Sequence, residues 1–217
     1  MSVNFPLGLS LFWQKLRFAG RAGFDLNNYK LTGMDAAGNT LNAKLGQAKW
    51  VASVKLAGGW HDANIDMEVL LKTLMMRDGT FYAFDSRRPY PKLDPHGLII
   101  GAATPSINTK GANNRSLSLK GLPATYKLSP GDWISVAYST ASIQLLQVCE
   151  TVTAAAGVTP EFEVVPYLST GLGVNNPVTI KKAAGLFKIA ADGYRVGDAV
   201  GNIISGSAFS IYGVPNP

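Results

Sequence analysis

The chain has 217 residues and a formal net charge of +6, with 47% hydrophobic and 16% charged residues. A disordered chain is poor in apolar residues and rich in charge, so this composition excludes disorder and predicts a folded protein. The charged fraction lies below the roughly 25% of an ordinary soluble domain, which indicates a surface that is largely hidden or kept wet by Ser, Thr, Asn and Gly. No apolar run reaches about 18 residues, so the sequence predicts no membrane insertion.

Cysteine content and the start of the chain indicate where the protein folds. Cys149 is the single cysteine and cannot form an internal disulfide, so folding in a reducing cytoplasm is expected. Cys149 lies in the alternating run Ile143 to Glu150, and we expect a small buried side chain with no base to activate it. Lys15 and Arg17 follow the first apolar residues rather than precede them, which is the wrong order for a secretory signal.

The first sixty residues contain an excess of basic side chains over acidic ones. Seven lysines and arginines accompany only Asp25 and Asp35 there. Such an asymmetry can mark a nucleic-acid surface or a face that meets an acidic protein partner. The basic residues are spread singly, without an arginine-rich run, and this favours the protein partner.

The aromatic pair Phe12 and Trp13 is followed closely by Lys15 and Arg17. Together they form a short amphipathic segment. Aromatic residues and arginine dominate the energetically important positions of protein interfaces. The sequence therefore predicts a subunit interface at these four residues.

Alternation of apolar and polar residues is the main pattern along the chain, and it predicts half-buried strands. It occurs at Trp50–Leu56, Ser116–Lys120, Ile134–Tyr138, Glu161–Val164, Phe187–Ile189 and Phe209–Ile211, with turn residues between, including Asp192-Gly193. Many short strands separated by turns predict a mainly β protein with a β-sandwich or barrel-like core. We expect a single β-rich structural domain over 1–217, with a subdivision into about 1–100 and 101–217 as an alternative.

One packed α-helix is predicted over residues 63–76, which contain no Gly or Pro. Its apolar residues recur at helical spacing: Met67, Leu70, Leu71 and Leu74. Asp62 is the candidate N-cap, and the helix is expected to cross between the strands at Trp50 and Phe81.

A second apolar stripe, Ile65, Val69 and Met76, lies on roughly the opposite side of the same helix. A surface helix of a monomer normally has a polar outer face. Either a loop of the same chain covers the stripe, or a neighbouring subunit does. The second alternative places Ile65, Val69 and Met76 in a subunit interface.

Residues suited to catalysis do not form a recognisable pattern. His61 and His96 are read as turn or capping residues, because metal ligands and catalytic bases require further partners at defined spacing. Glu161 and Glu163 alternate with apolar residues, which is typical of a solvated strand face. We therefore predict no enzyme, no metal and no cofactor. Trp60 and Tyr90 leave open a carbohydrate-binding module, and a cell-wall hydrolase is the third alternative.

Several segments together resemble the distal tail protein, a tail-tip protein of long-tailed bacteriophages and gene-transfer-agent-like particles. The resemblance lies in scattered blocks between Trp50 and Ile211: WVASVKL at 50–56, GTFYAFDSRRPYP at 79–91, SLSLKGLP at 116–123, LSPGDWI at 128–134, PEFEVVP at 160–166 and SAFSI at 207–211.

The resemblance implies a ring protein of the phage tail. Its expected partners are five further copies in a homo-hexamer, the tail tube protein, and the baseplate hub or other tail-tip proteins. DNA would contact it only in passage through the central channel. The resemblance also implies assembly in the host cytoplasm and location in the virion.

Overall fold

The structure is a computed structural model that describes residues 4–139 and 142–214, apart from the side chain of Asp192. It is mainly β, with 41% strand and 9% helix. The predicted fold class is confirmed. The elements are a 3₁₀ turn (Trp13–Lys15), β1 (Asp25–Asn27), β2 (Lys30–Met34), β3 (Thr40–Lys44), β4 (Lys49–Lys55), β5 (Gly59–Trp60), α1 (His61–Met76), β6 (Phe81–Phe84), β7 (Ser106–Lys110), β8 (Ser116–Lys120), β9 (Lys127–Leu128), β10 (Trp133–Ala137), β11 (Ile143–Val148), β12 (Val152–Thr153), β13 (Phe162–Val165), β14 (Val178–Thr179), β15 (Ala184–Arg195), β16 (Asp198–Val200), β17 (Ile203–Ser205) and β18 (Ala208–Gly213).

The first sheet has five antiparallel strands in the order β1-β4-β18-β15-β6. Its inner face is apolar because alternate residues of β4 and β18, such as Val54 and Phe209, are buried. The predicted turn at Asp192-Gly193 is wrong, since both residues lie inside β15. The pairing of β15 with β18 shifts register between Ile189 and Tyr194, so the strand continues past these two residues with a bulge.

Helix α1 begins two residues earlier than predicted and packs on the inner face through Leu71 and Leu74. The helix connects β4 and β6 of the same sheet, so the expected crossover is confirmed. Asp62 is not the N-cap. Trp60 takes that position without a side-chain hydrogen bond, and Asp62 lies in the first turn, where its negative charge faces the positive end of the helix dipole.

The N-terminal segment closes the core of the first sheet. Phe12 and Trp13 are completely buried, and the Phe12 ring contacts Phe81 edge-on at 4.7 Å. The Trp13 indole N–H donates to the carbonyl oxygen of Phe84 at 3.0 Å. Leu7 pairs with β6 through two backbone hydrogen bonds, so the outer edge of β6 is not free to add another strand.

The second sheet, order β14-β10-β11-β13-β8-β7, closes into a small barrel. Backbone hydrogen bonds between β7 and β14 and their flanking residues close the barrel. The Ile107 N–H donates to the carbonyl oxygen of Asn176, and the Val178 N–H donates to the carbonyl oxygen of Pro105. The interior is filled by buried apolar side chains, among them Leu117, Leu146 and Phe162. Closing the sheet removes the exposed edges that an open sheet would carry.

The barrel is inserted into the first sheet rather than following it along the chain. Strands β7–β14 lie between β6 and β15, which are neighbours in the first sheet. The alternative subdivision at about 1–100 and 101–217 is therefore wrong, because the strand pairing returns 184–213 to the N-terminal residues. Trp133 and Leu145 of the barrel belong to the first core, so the two cores share a packed boundary.

Candidate assembly surfaces

Strands β2 and β3 form a two-stranded hairpin, called the arm below, that pairs with no other strand of the described chain. All ten of its strand residues are exposed. An isolated two-stranded hairpin is marginally stable in water, because it buries little apolar surface. The arm therefore has the properties of an element that is stabilised by a partner.

The two faces of the arm differ in chemistry. Residues directly opposite each other on antiparallel strands share a face, and Leu31 lies opposite Ala43 while Gly33 lies opposite Leu41. This face is apolar. The other face carries two polar pairs and one mixed pair: Lys30 with Lys44, Thr32 with Asn42, and Met34 with Thr40.

The arm holds its own shape at the tip. The Asp35 carboxylate accepts hydrogen bonds from the backbone N–H groups of Ala37 and Asn39, at 2.9 and 2.8 Å, and from the Asn39 side chain. The Asn39 side chain, followed by its backbone N–H, lowers the pKa of Asp35 below the ordinary value. The turn is thus defined by local hydrogen bonds, so the apolar face is presented in a fixed register.

The outer stripe of α1 is exposed, as the second of the two alternatives requires. Val69 is 56% exposed and Met76 is 87% exposed, with Ile65 also on the surface. The alternative in which a loop of the same chain covers this stripe is wrong for the part of the chain that the structure describes. Whether a neighbouring subunit covers it remains a prediction.

A third apolar surface lies on the small sheet β16-β17-β5. Val200 pairs with Ile203, and Ile203 pairs with Trp60, so the three side chains form a row across three strands. All three are exposed, and Trp60 retains 69% of its surface. Ile204, on the opposite face of the same sheet, is buried against the core. Such an exposed apolar row is typical of a contact surface.

A cleft of about 400 Å³ separates the base of the arm from the barrel. Lys44 and Lys49 line it, and none of its described lining residues is acidic. The Lys44 ammonium lies 5.2 Å from the centre of the Tyr167 ring, and that of Lys49 lies 5.8 Å from the Tyr29 ring and 5.7 Å from the Tyr212 ring. The cleft is therefore cationic, with its lysines supported by aromatic faces.

The predicted N-terminal interface loses its two aromatic residues, and for Lys15 and Arg17 it stays a prediction. Phe12 and Trp13 are wrong as interface residues, because the first core takes up both side chains and no surface is left for a partner. Lys15 and Arg17 are exposed. An amphipathic segment of aromatic and basic residues fits a surface strip and a core segment equally well, and the packing of Phe12 and Trp13 against β6 decides between them.

The candidate catalytic residues are dispersed. His61 lies at the start of α1, His96 in the loop after β6, and Glu161 and Glu163 at the start of β13, and all four are exposed. Among residues 4–139 and 142–214, no group of three or more His, Cys, Asp or Glu side chains could hold a metal ion. Trp60 lies in β5, whereas Tyr90 is half-buried in the loop after β6, so they do not share one element as a sugar platform.

Cys149 differs from its prediction, since it is exposed rather than buried. It follows Val148, which is buried in the barrel, so the alternation of β11 places Cys149 on the outer side. Partial burial, and then the carboxylates of Glu163 and Glu150, raise the pKa of its thiol. A raised pKa disfavours the thiolate and hence nucleophilic chemistry.

Two buried carboxylates organise the connection between the first sheet and the barrel. Asp94 accepts backbone hydrogen bonds from Ile99 and Ile100 at 3.1 and 3.0 Å. The Asp132 carboxylate accepts hydrogen bonds from the backbone N–H groups of Lys92 and Ser129, both at 2.8 Å. Burial raises the pKa of this carboxyl. Each carboxylate holds the backbone of a loop through these hydrogen bonds, so we assign both residues a structural role.

Comparison with known proteins does not identify a family. No protein-family model matches this chain, and no curated protein matches it. Among the described residues, no helix combines the length and the apolar character needed to cross a membrane.

The residues of the arm were missed in the sequence. The signal was present, because Leu31 and Gly33 alternate with polar residues, as do Leu41, Ala43 and Leu45, on either side of a turn at Gly38-Asn39. Only the structure shows that this hairpin stands apart from both sheets.

Proposed function

We propose that the chain is a structural subunit of a phage tail tip, of the distal tail kind, which acts by assembling into a homo-hexameric ring around a DNA channel. Its partners in this proposal are five further copies, the tail tube protein, and the baseplate hub or other tail-tip proteins. The arm supports the proposal most strongly. It exposes an apolar face and pairs with no strand of either sheet among the described residues.

The physical argument is that an exposed apolar hairpin is unfavourable in a monomer. Each square ångström of apolar surface removed from water contributes about 25 cal/mol, so covering such a face stabilises both the arm and the assembly. Permanent subunit interfaces are large and markedly apolar, typically about 2,000 Å² or more. The arm, the α1 stripe and the Trp60 row together supply several apolar patches on different elements.

A ring also requires two different contact faces on each subunit. In a head-to-tail interface the surface given by one copy differs from the surface that receives it, and the rotation must close. The arm and the α1 stripe belong to separate elements and therefore meet this requirement. Two identical faces related by a two-fold axis would give a dimer instead.

Protein assembly explains the exposed aromatic residue better than sugar binding does. Trp60 has aliphatic neighbours, Ile203 and Val200, in its row. Sugar sites combine a stacking ring with hydrogen-bonding side chains that fix the hydroxyl groups. An apolar row is typical of the core of a protein interface.

The test is electron microscopy of the purified full-length chain in negative stain. The proposal predicts class averages with a ring of six subunits and a central hole. Copurification with the tail tube protein, when the two are produced together, would support the position in the tail. Isolated single subunits under all conditions, with no ring in the presence of the tube protein, would contradict the proposal.

A further inference from the structure

We propose that adjacent copies contact each other by docking the N-terminal half of α1 of one copy into the cationic cleft of the next. This inference rests on the proposed ring function and names the contact that builds it. It is carried by charge complementarity between two surfaces that are far apart in the same chain.

The exposed face of α1 is acidic as well as apolar in its N-terminal half. Asp62, Ile65, Asp66 and Val69 follow a spacing of three, four and seven residues, which places them side by side on one helix face. All four are exposed. Asp66 makes no ion pair with any described residue, and Asp62 contacts only the ring of the adjacent His61, at 3.7 Å.

The cleft offers the opposite charge. Lys44 and Lys49 form no ion pair within the part of the chain that the structure describes, and their ammonium groups rest on tyrosine rings instead. Lys30 lies directly opposite Lys44 on the arm. Like charges at opposite positions of a strand pair destabilise it, so an incoming carboxylate would relieve that repulsion.

The size and the walls of the cleft fit one turn of a helix. The cleft measures about 400 Å³. Because the inner face of α1 is packed on its own sheet, only the side chains on the outer face of one helical turn need to enter the cleft. Leu26, Val165 and Pro166 provide apolar wall surface between the lysines. Ile65 and Val69 would pack there while Asp62 and Asp66 reach the lysines. Helix-in-groove contacts of this kind use apolar anchors three and four residues apart.

One copy cannot make this contact with itself. The cleft includes Lys49 and Trp50 at the start of β4, whereas α1 begins six residues after β4 ends. At about 3.3 Å per residue the seven residues of β4 span roughly 20 Å. The side-chain amide of Asn64 donates hydrogen bonds to the carbonyl oxygens of Gly59 and Ile204. These bonds hold the start of α1 near the far end of β4. The contact therefore joins two different surfaces on two copies, as a ring requires.

The test is a charge swap in the full chain, with ring formation measured by light scattering after size exclusion. One variant carries Asp62→Lys with Asp66→Lys, a second carries Lys44→Glu with Lys49→Glu, and a third combines all four substitutions. Matched controls are Glu163→Lys and Lys127→Glu, which reverse exposed charges elsewhere on the barrel and in β9. Thermal unfolding verifies that every variant folds.

Each double reversal should raise the concentration needed for assembly by at least about tenfold, because it places like charges in contact. The combined variant should recover the ring, and both controls should assemble like the wild type. A ring that persists in either double variant, or that stays lost in the combined one, overturns this contact and leaves the ring function standing. A wild-type chain that never assembles overturns both.

Discussion

The indole N–H of Trp50 donates a hydrogen bond to the carbonyl oxygen of Leu145 at 2.9 Å, across 95 residues of chain. Trp50 belongs to β4 of the first sheet, and Leu145 belongs to β11 of the barrel. The Trp50 ring also meets Trp133 of the barrel edge-on at 4.7 Å. This buried contact fixes the barrel against the first sheet, and the cleft lies beside it.

Replacing Trp50 with Phe tests that connection. The substitution keeps an aromatic ring but leaves the buried Leu145 carbonyl without its indole donor, so the free energy of unfolding should fall by about 1–3 kcal/mol. Urea unfolding measures the change. The matched control is Trp60→Phe, which alters an exposed ring and should shift the midpoint little. Equal midpoints for Trp50→Phe and the wild type would show that the hydrogen bond does not stabilise the fold.

The arm is tested by two neighbouring residues on its opposite faces. Leu31→Asp places a charge on the apolar face, whereas Thr32→Asp places it on the polar face. Both positions are exposed, so neither variant should change the free energy of unfolding by more than about 0.5 kcal/mol. Leu31→Asp should abolish the large species in size exclusion, and Thr32→Asp should retain it. The same elution profile for both variants would exclude the apolar face as a contact.

Asp94→Asn should destabilise the loop between the first sheet and the barrel. The Ile99 and Ile100 N–H groups donate to different oxygens of Asp94, and the amide replaces one of those oxygens with an NH2 donor, so about 1–3 kcal/mol of unfolding free energy should be lost. Thermal or urea unfolding measures this loss. Asp66→Asn, on the exposed helix face, is the control and should be neutral in the isolated subunit.

Asp94 should also contribute to acid sensitivity. Burial opposes its ionisation, yet the N–H groups of Ile100, Ile99 and Leu98 outweigh burial and hold the pKa of this carboxyl below its ordinary value. Its stabilising contribution is therefore present above an unfolded-state pKa of about 3.9, and it is lost as the pH falls through the lower folded value. Unfolding curves between neutral and acidic pH should converge for the wild type and Asp94→Asn. A constant difference at every pH would contradict this role.

Cys149 should react with thiol reagents in the folded protein, because it is exposed. The reaction should be slower than for a free cysteine at neutral pH and should accelerate in alkaline solution, since its raised pKa reduces the thiolate fraction. Mass spectrometry after timed labelling measures the rate, and Glu163→Gln should increase it by removing a nearby negative charge. Protection until the protein unfolds would mean that the thiol is covered.

Local patterns in the sequence predicted the strands and the helix well. The alternation at Trp50–Leu56 and the spacing of Leu71 and Leu74 each indicate which side of the strand or helix is apolar. The side chains on that side are the ones that the fold buries. The outer stripe of α1 was predictable for the same reason. These features depend on residues close together in the chain, where periodicity is a direct physical signal.

Features set by long-range packing were not predictable. Phe12 and Trp13 resemble interface residues until β6 is seen to offer them an apolar pocket. The insertion of the barrel between β6 and β15 depends on which strands pair, and alternation carries no information about pairing partners. The cationic cleft likewise combines residues from the arm, the barrel and β4, which only the folded chain brings together.

The mass of the purified wild-type chain in solution, measured by light scattering during size exclusion over a range of concentrations, tests the central claim most directly. Six copies of the 23.1-kDa chain have a mass of about 139 kDa, and the account predicts this species at high protein concentration, decreasing on dilution as subunits separate. A constant mass of 23.1 kDa at every concentration would contradict the claim that the exposed apolar surfaces are covered by further copies of this chain.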